Sequence, residues 1–143
     1  MVVRLTGSDA GDVMAELTQL LVVSDLRRST AFYTGVLGAE LQREYGGTSA
    51  VLRLFDTWLL LVTGGGPTPD KPTVTFAPPP DPGVVSHEMI IAVPDCRAAY
   101  QDLHDRGAVF LTPPVDYEWE VRCFLRDPDG HLIELSESKR PPE

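Results

Sequence analysis

The chain has 143 residues, with 12 basic and 21 acidic side chains giving a net charge of −9. That length suits one domain, and 43% hydrophobic with 23% charged residues supplies a core without disulfide staples. The acidic balance repels phosphate backbones and no basic stripe offsets it, which excludes nucleic acid as an expected partner; the summed field could favour a cationic ligand, although net charge more often reflects solubility.

Residues 1–16 read as an N-terminal arm, and Met1 to Asp12 lacks the basic start and apolar run of a signal peptide. A first unit over residues 17–63 follows. Thr18 to Val23 (TQLLVV) is apolar and β-branched and runs into Ser24-Asp25, so it reads as a strand entering a helix cap, with Asp25 as N-cap. Leu26, Thr30, Tyr33 and Leu37 line one helix face, and Gly38 follows as the C′ glycine. Leu41 to Tyr45, Ala50 to Phe55 and Trp58 to Val62 then read as three strands, with turns at Gly46-Gly47 and Asp56-Thr57.

Residues 64–86 form a linker: Gly64 to Val85 holds seven prolines and four glycines, a composition that neither a helix nor a central strand accepts. Thr73 to Phe76 inside it could form a short edge strand confined by Pro72 and Pro78. A second unit over residues 87–137 then repeats the first. Glu88 to Val93 is a strand, Pro94-Asp95 repeats the cap, and Cys96, Ala99, Tyr100 and Leu103 form the helix stripe before Gly107. Val109 to Leu111, Val121 to Arg126 and His131 to Ser136 supply further strands, and 138–143 is a tail. Asp25 and Asp95, Gly38 and Gly107, and Asp56 and Asp127 keep nearly one offset, so the chain is a tandem duplication of a supersecondary unit. No stretch reaches the roughly 18 apolar residues of a membrane span. Cys96 and Cys123 lack metal-ligand spacing, so free thiols and a cytoplasmic location away from membranes are expected.

Val23-Ser24-Asp25-Leu26-Arg27-Arg28-Ser29-Thr30-Ala31-Phe32-Tyr33, closing on Val36-Leu37-Gly38, and the closing string Arg126-Asp127-Pro128-Asp129-Gly130-His131-Leu132-Ile133-Glu134-Leu135 carry a resemblance. Together they are similar to the first-unit and last-hairpin signatures of the vicinal oxygen chelate superfamily, which includes glyoxalases, bleomycin-resistance proteins and extradiol dioxygenases. The resemblance implies an α+β fold: two tandem βαβββ units whose curled mixed sheets form a cleft, commonly as a homodimer. In metal-dependent members, the first and last strands of each unit each supply one ligand to a divalent ion.

Strand alternation tests the matching positions, because successive side chains point to opposite faces. If Met89, Ile91 and Val93 face the helix, Glu88 faces the cleft; likewise Glu134 faces the cleft if Ile133 and Leu135 do not. Arg122, Phe124 and Arg126 join them there. In the first unit the matching positions are Thr18 and Leu61, or a close neighbour of Leu61, and Arg53 stands as the counterpart of Phe124. Two carboxylates alone make a poor zinc-type site. His87 joins them as a third ligand only if the strand start is twisted or bulged, and Gln19 stands one face away from Thr18. The dioxygenase branch needs two histidines and a glutamate, which His87, His104 and His131 are not placed to supply.

Three functions follow. The leading one is a protein that binds a small organic molecule, an antibiotic or xenobiotic, without an obligatory transition metal. Phe55, Trp119, Phe124, Arg53, Arg122 and Arg126 would line its cleft, since aromatic side chains offer large rigid contact area to flat ligands. The second is a glyoxalase-type lyase or isomerase, or a thiol transferase, holding magnesium, manganese, nickel or zinc at Glu88, Glu134 and His87, with Glu134 or Glu88 as base. The third is a catalytically silent dimeric interaction module. For the carboxylates themselves, pairing with Arg53, Arg122 or Arg126 would keep both ionised; arginines pointing elsewhere would leave them to share a proton.

Overall fold

A computed structural model describes residues 4–5 and 13–140. Within them β1 (Arg4–Leu5) pairs antiparallel with β2 (Val13–Met14), so part of the expected N-terminal arm is a small two-stranded sheet. The first unit is β3 (Thr18–Val23), α1 (Leu26–Gly35), β4 (Glu40–Tyr45), β5 (Ser49–Leu54) and β6 (Thr57–Thr63), in the sheet order β3-β6-β5-β4. The second is β7 (Glu88–Ala92), α2 (Cys96–Asp105), β8 (Val109–Phe110), β9 (Val115–Asp116), β10 (Glu120–Arg126) and β11 (Leu132–Ser138). Its sheet runs β7-β11-β10-β8, with β9 also on β10. In both units the first and last strands are parallel neighbours and the rest antiparallel, so each sheet is mixed and each unit is βαβββ. The loop before β10 contributes β9 as an addition, and in the linker Phe76 forms only an isolated bridge with Gly65 in place of the edge strand.

Local chemistry sets the helix ends. Asp25 and Asp95 each accept a backbone N–H three residues on, Arg28 N and Ala98 N, both at 3.0 Å, satisfying donors a helix N-terminus leaves free. Gly38 and Gly107 take the left-handed conformation that turns the chain out of each helix (φ 78° and 98°). The helix faces then close two packed cores. Leu21, Val23, Tyr33, Leu52, Leu59 and Leu61 are buried in the first unit, and Cys96, Val121, Cys123, Leu125, Ile133 and Leu135 in the second. Each fully buried aliphatic side chain contributes about 1.5–3 kcal/mol over its exposed state. Because these residues alternate along their strands, the opposite face of each sheet is left for other work.

A polar seam joins the two units within the chain. The turn between β10 and β11 reaches the start of α1, where Asp129 accepts from Ser24 N at 3.0 Å and from Ser29 Oγ at 3.3 Å. An anion there is favoured by the helix dipole. His131 Nε2 donates to Val22 O at 2.8 Å, and Tyr33 OH donates to Asp127 Oδ2 at 2.7 Å. From α2, Arg106 donates to Val36 O at 3.2 Å.

Candidate functional site

Strand pairing lays the second unit's free face out as a grid. Leu132 pairs with Glu88 on one side and Arg126 on the other; the next row is Ile90, Glu134, Phe124; the next is Ala92, Ser136, Arg122. Glu88 and Glu134 therefore stand diagonally on neighbouring strands, a spacing long side chains bridge. The alternation expected from sequence is present: Val121, Cys123, Leu125, Ile133 and Leu135 lie in the core while these residues point away from it.

The first unit has the same grid with different chemistry. Thr18 pairs with Trp58 as Glu88 does with Leu132, and Trp58 pairs in turn with Arg53. The counterpart of Glu134 is thus Leu60, the close neighbour of Leu61; Leu61 itself is fully buried on the helix side. Pairing also corrects a second equivalence: Arg53 matches Arg126, and Val51, paired with Leu60, matches Phe124. Leu20, Val22, Val51, Leu60 and Val62 make this face apolar, with Arg53 stacked over the Trp58 ring at 4.6 Å.

Among the described residues no arginine hydrogen-bonds or ion-pairs with either carboxyl. Arg122 Nη1 bonds Glu120 Oε1 at 2.9 Å, and Ser136 Oγ donates to Glu120 Oε2 at 3.1 Å. Arg126 Nη1 donates to Gly130 O at 3.1 Å. Among the described residues the only hydrogen-bond partner of Glu134, 6% exposed, is the Glu88 carboxyl, and Glu88 Oε2 is buried without one. Burial first, then the adjacent Glu88 carboxyl and Glu120, push the Glu134 carboxyl up to about 7 against the opposing pull of Arg122. Glu120 is the site residue that sequence reading missed; its signal was its place two residues before Arg122, on the same strand face.

Hollows divide the remaining candidates. Glu88, Ile90, Phe55 and Leu17 line one of about 290 Å³; Trp119, Tyr117, Arg122 and Ser136 line a broader one of about 590 Å³. Phe55 is 64% exposed at a positive φ of 54°, and Trp119 is 56% exposed. Arg53 lines a third hollow with Trp58 and Asp56, apart from Trp119. His87 lies before β7, where the Gln19 amide nitrogen donates to its Nε2 at 3.0 Å, and both line a cavity of about 320 Å³ under the linker. His87 thus lines a different hollow from Glu88, and among the described residues no three His, Cys, Asp or Glu side chains form a group that could hold a metal ion. Two carboxylates do not fit a zinc- or nickel-type ion, and a hard ion would draw most of its coordination from water or substrate.

Residues 13–135 match the family model described as the Glyoxalase/Bleomycin resistance protein/Dioxygenase superfamily. Lactoylglutathione lyase of Salmonella typhimurium is 30% identical over 135 residues, covering 88% of this chain and 94% of that protein. Among solved structures, TioX from Micromonospora sp. ML1 superposes with a TM-score of 0.66 at 22% identity, covering 87% of this chain and 98% of that one. TnmS3, an antibiotic binding protein from Streptomyces sp. CB03234, superposes at 0.60 with 23% identity, covering 87% and 98%. At these identities the solved structures share the fold.

Proposed function

The chain belongs to the Glyoxalase/Bleomycin resistance protein/Dioxygenase superfamily, and we propose that it binds a small organic molecule, an antibiotic or xenobiotic, on the free face of the second unit. The observation that carries this reading is a pair of carboxyls, Glu88 and Glu134, that have no hydrogen-bond partner beyond each other among the described residues and stand beside Phe124, close to exposed aromatic side chains. A sheet face that served only as a surface would let these groups reach water, and one that served only as a core would not contain them. Arg122 and Arg126 border the same grid, with Trp119 at the rim of the larger hollow and Phe55 beside Glu88. No transition metal is required. Leu17, Phe55 and Ile90, 80%, 64% and 61% exposed around the Glu88 hollow, support a homodimer in which a second copy covers this edge. The buried free thiols of Cys96 and Cys123 support a reducing, cytoplasmic setting.

The test is a titration with flat aromatic compounds followed by tryptophan fluorescence, beside a metal analysis of protein purified without chelator. Saturable quenching with substoichiometric metal supports the reading. A second reading, a lyase or isomerase using a hard divalent ion, draws on the same pair of carboxyls and on the lactoylglutathione lyase relative. Stoichiometric metal that is lost in Glu134→Ala would replace the first reading with this one.

A further inference from the structure

We propose that the Glu88–Glu134 pair is a seat for an organic cation, the ammonium or guanidinium group of a ligand whose apolar body lies over Phe124 and Ile90. This rests on the small-molecule reading and names the ligand's chemical class.

Three observations converge on it. Glu134 is 6% exposed and meets only the Glu88 carboxyl among the described residues, while Glu88 Oε2 is buried and has no partner there. Two buried carboxyls that share one proton still lack donors for their remaining lone pairs, and the described residues supply none. The three arginines that could supply them are engaged elsewhere: Arg122 with Glu120, Arg126 with Gly130 O, Arg53 across Trp58. The missing donors therefore come from outside, and they must be several, positively charged and compact enough to sit between two neighbouring strands.

An ammonium offers three donors and no acceptor, a guanidinium five, so either satisfies carboxylates that a hydroxyl would leave half-served. The setting agrees. Phe124 pairs across the strand with Glu134, and Ile90 pairs with it on the other side, so a carboxyl is flanked by an aromatic ring and an apolar side chain. The Arg122 guanidinium already lies over the Phe124 ring, 5.6 Å from its centre, so ring and apolar flank take the body that carries the cation while the carboxyls take its charge. A bare divalent ion gains nothing from these flanks and finds two carboxylates where it needs more ligands. An anion meets two carboxylates and a chain of net charge −9.

The experiment compares three probes of one shape by calorimetry at pH 8 and low salt: 2-naphthylmethylammonium, its neutral alcohol 2-naphthalenemethanol, and 2-naphthoate. The ammonium is expected to bind at least about tenfold tighter than the alcohol, and the naphthoate more weakly than either, as for a charge-assisted hydrogen bond. In Glu88→Gln with Glu134→Gln the ratio of ammonium to alcohol affinity falls to near one. At pH 7, in two buffers of different ionisation enthalpy, ammonium binding to the unaltered protein releases protons, a readout that needs no variant. Alcohol binding as tight as the ammonium would overturn the inference and leave the small-molecule reading standing, as would an ammonium preference that persists in the double variant. Stoichiometric manganese binding that blocks the ammonium would overturn it in favour of a metal site. Failure of all three probes and of manganese to bind would remove both readings together.

Discussion

The hydroxyl of Tyr33 donates a 2.7 Å hydrogen bond to Oδ2 of Asp127, 94 residues away, and both side chains are buried. The other oxygen of Asp127 accepts from Asp129 N and His131 N at 2.9 and 2.8 Å, so among the described residues Tyr33 alone serves Oδ2. Removing that donor strands a buried carboxylate oxygen at the junction of the two units. Tyr33→Phe is expected to lower the free energy of unfolding by about 1.5–3 kcal/mol, the range for a hydrogen bond to a charged group. Urea titration measures it. Adding Asp127→Asn to Tyr33→Phe should cost less than the sum of the single changes, because the partner no longer needs serving; strict additivity would show that the two groups do not interact.

Glu134 makes the fold's stability depend on pH in an unusual direction. Burial, with Glu88 of β7 and Glu120 of β10 beside it, raises its carboxyl to about 7 from the ordinary 4.5, while Arg122 opposes and Arg126 stands on the same face. A group whose folded pKa is raised binds its proton more tightly when folded. Its stabilisation is complete below about 4.5 and is lost as pH climbs through about 7. Glu134→Gln should therefore raise the melting temperature at pH 8 and change it little at pH 4.5. The gain is on the order of 1 kcal/mol, smaller than the full shift implies because water reaches the rim of the face. Equal effects of the substitution at both pH values would refute this.

Cys96 and Cys123 lie with their sulfurs 3.7 Å apart between α2 and β10, both with essentially no exposure. Burial raises both thiols, that of Cys123 to about 12, so the thiolate that attacks disulfides is scarce in the folded protein. A thiol reagent such as Ellman's is expected to find no fast-reacting group at pH 8 without denaturant and two groups once the chain is unfolded. Rapid labelling of either cysteine in the native protein would mean that α2 opens locally at low cost.

Much of this was legible in the residues. Caps at Asp25 and Asp95, the left-handed glycines after each helix and period-two alternation place both units and set Glu88, Glu134, Arg122, Phe124 and Arg126 on one face. Lateral relations were less legible, because alternation fixes a face and leaves the register free. The β5–β6 hairpin turns through Phe55 and Asp56 alone, while the β10–β11 hairpin runs from Asp127 to His131 between Arg126 and Leu132. Counting from the matched aspartates thus slips along β5 and β6, giving Leu61 for Leu60 and Phe124 for Arg126. Partner choice is hidden for a related reason: Arg122 turns to Glu120 on its own strand, two residues away, in preference to Glu134 on the next. The Tyr33 to Asp127 contact joins elements that no local pattern relates.

The chain has two tryptophans, and they stand on different units, so fluorescence can locate the ligand. Trp58 lies on the first unit's face under Arg53, whose charge sits 4.6 Å from its ring centre. Trp119 is 56% exposed beside the hollow that Arg122 and Ser136 line, with Arg140 over its ring at 5.4 Å. If the ligand occupies the second unit's face, its arrival changes the polarity around Trp119 and leaves the Arg53–Trp58 stack in place. Trp119→Phe should then abolish most of the ligand-dependent fluorescence change, while calorimetric affinity falls by about tenfold or less, as for loss of part of one aromatic contact at a rim. Trp58→Phe should retain the signal. The opposite assignment, with the response carried by Trp58, would move the binding surface to the apolar face of Leu20, Val51 and Leu60 and detach it from the two carboxyls.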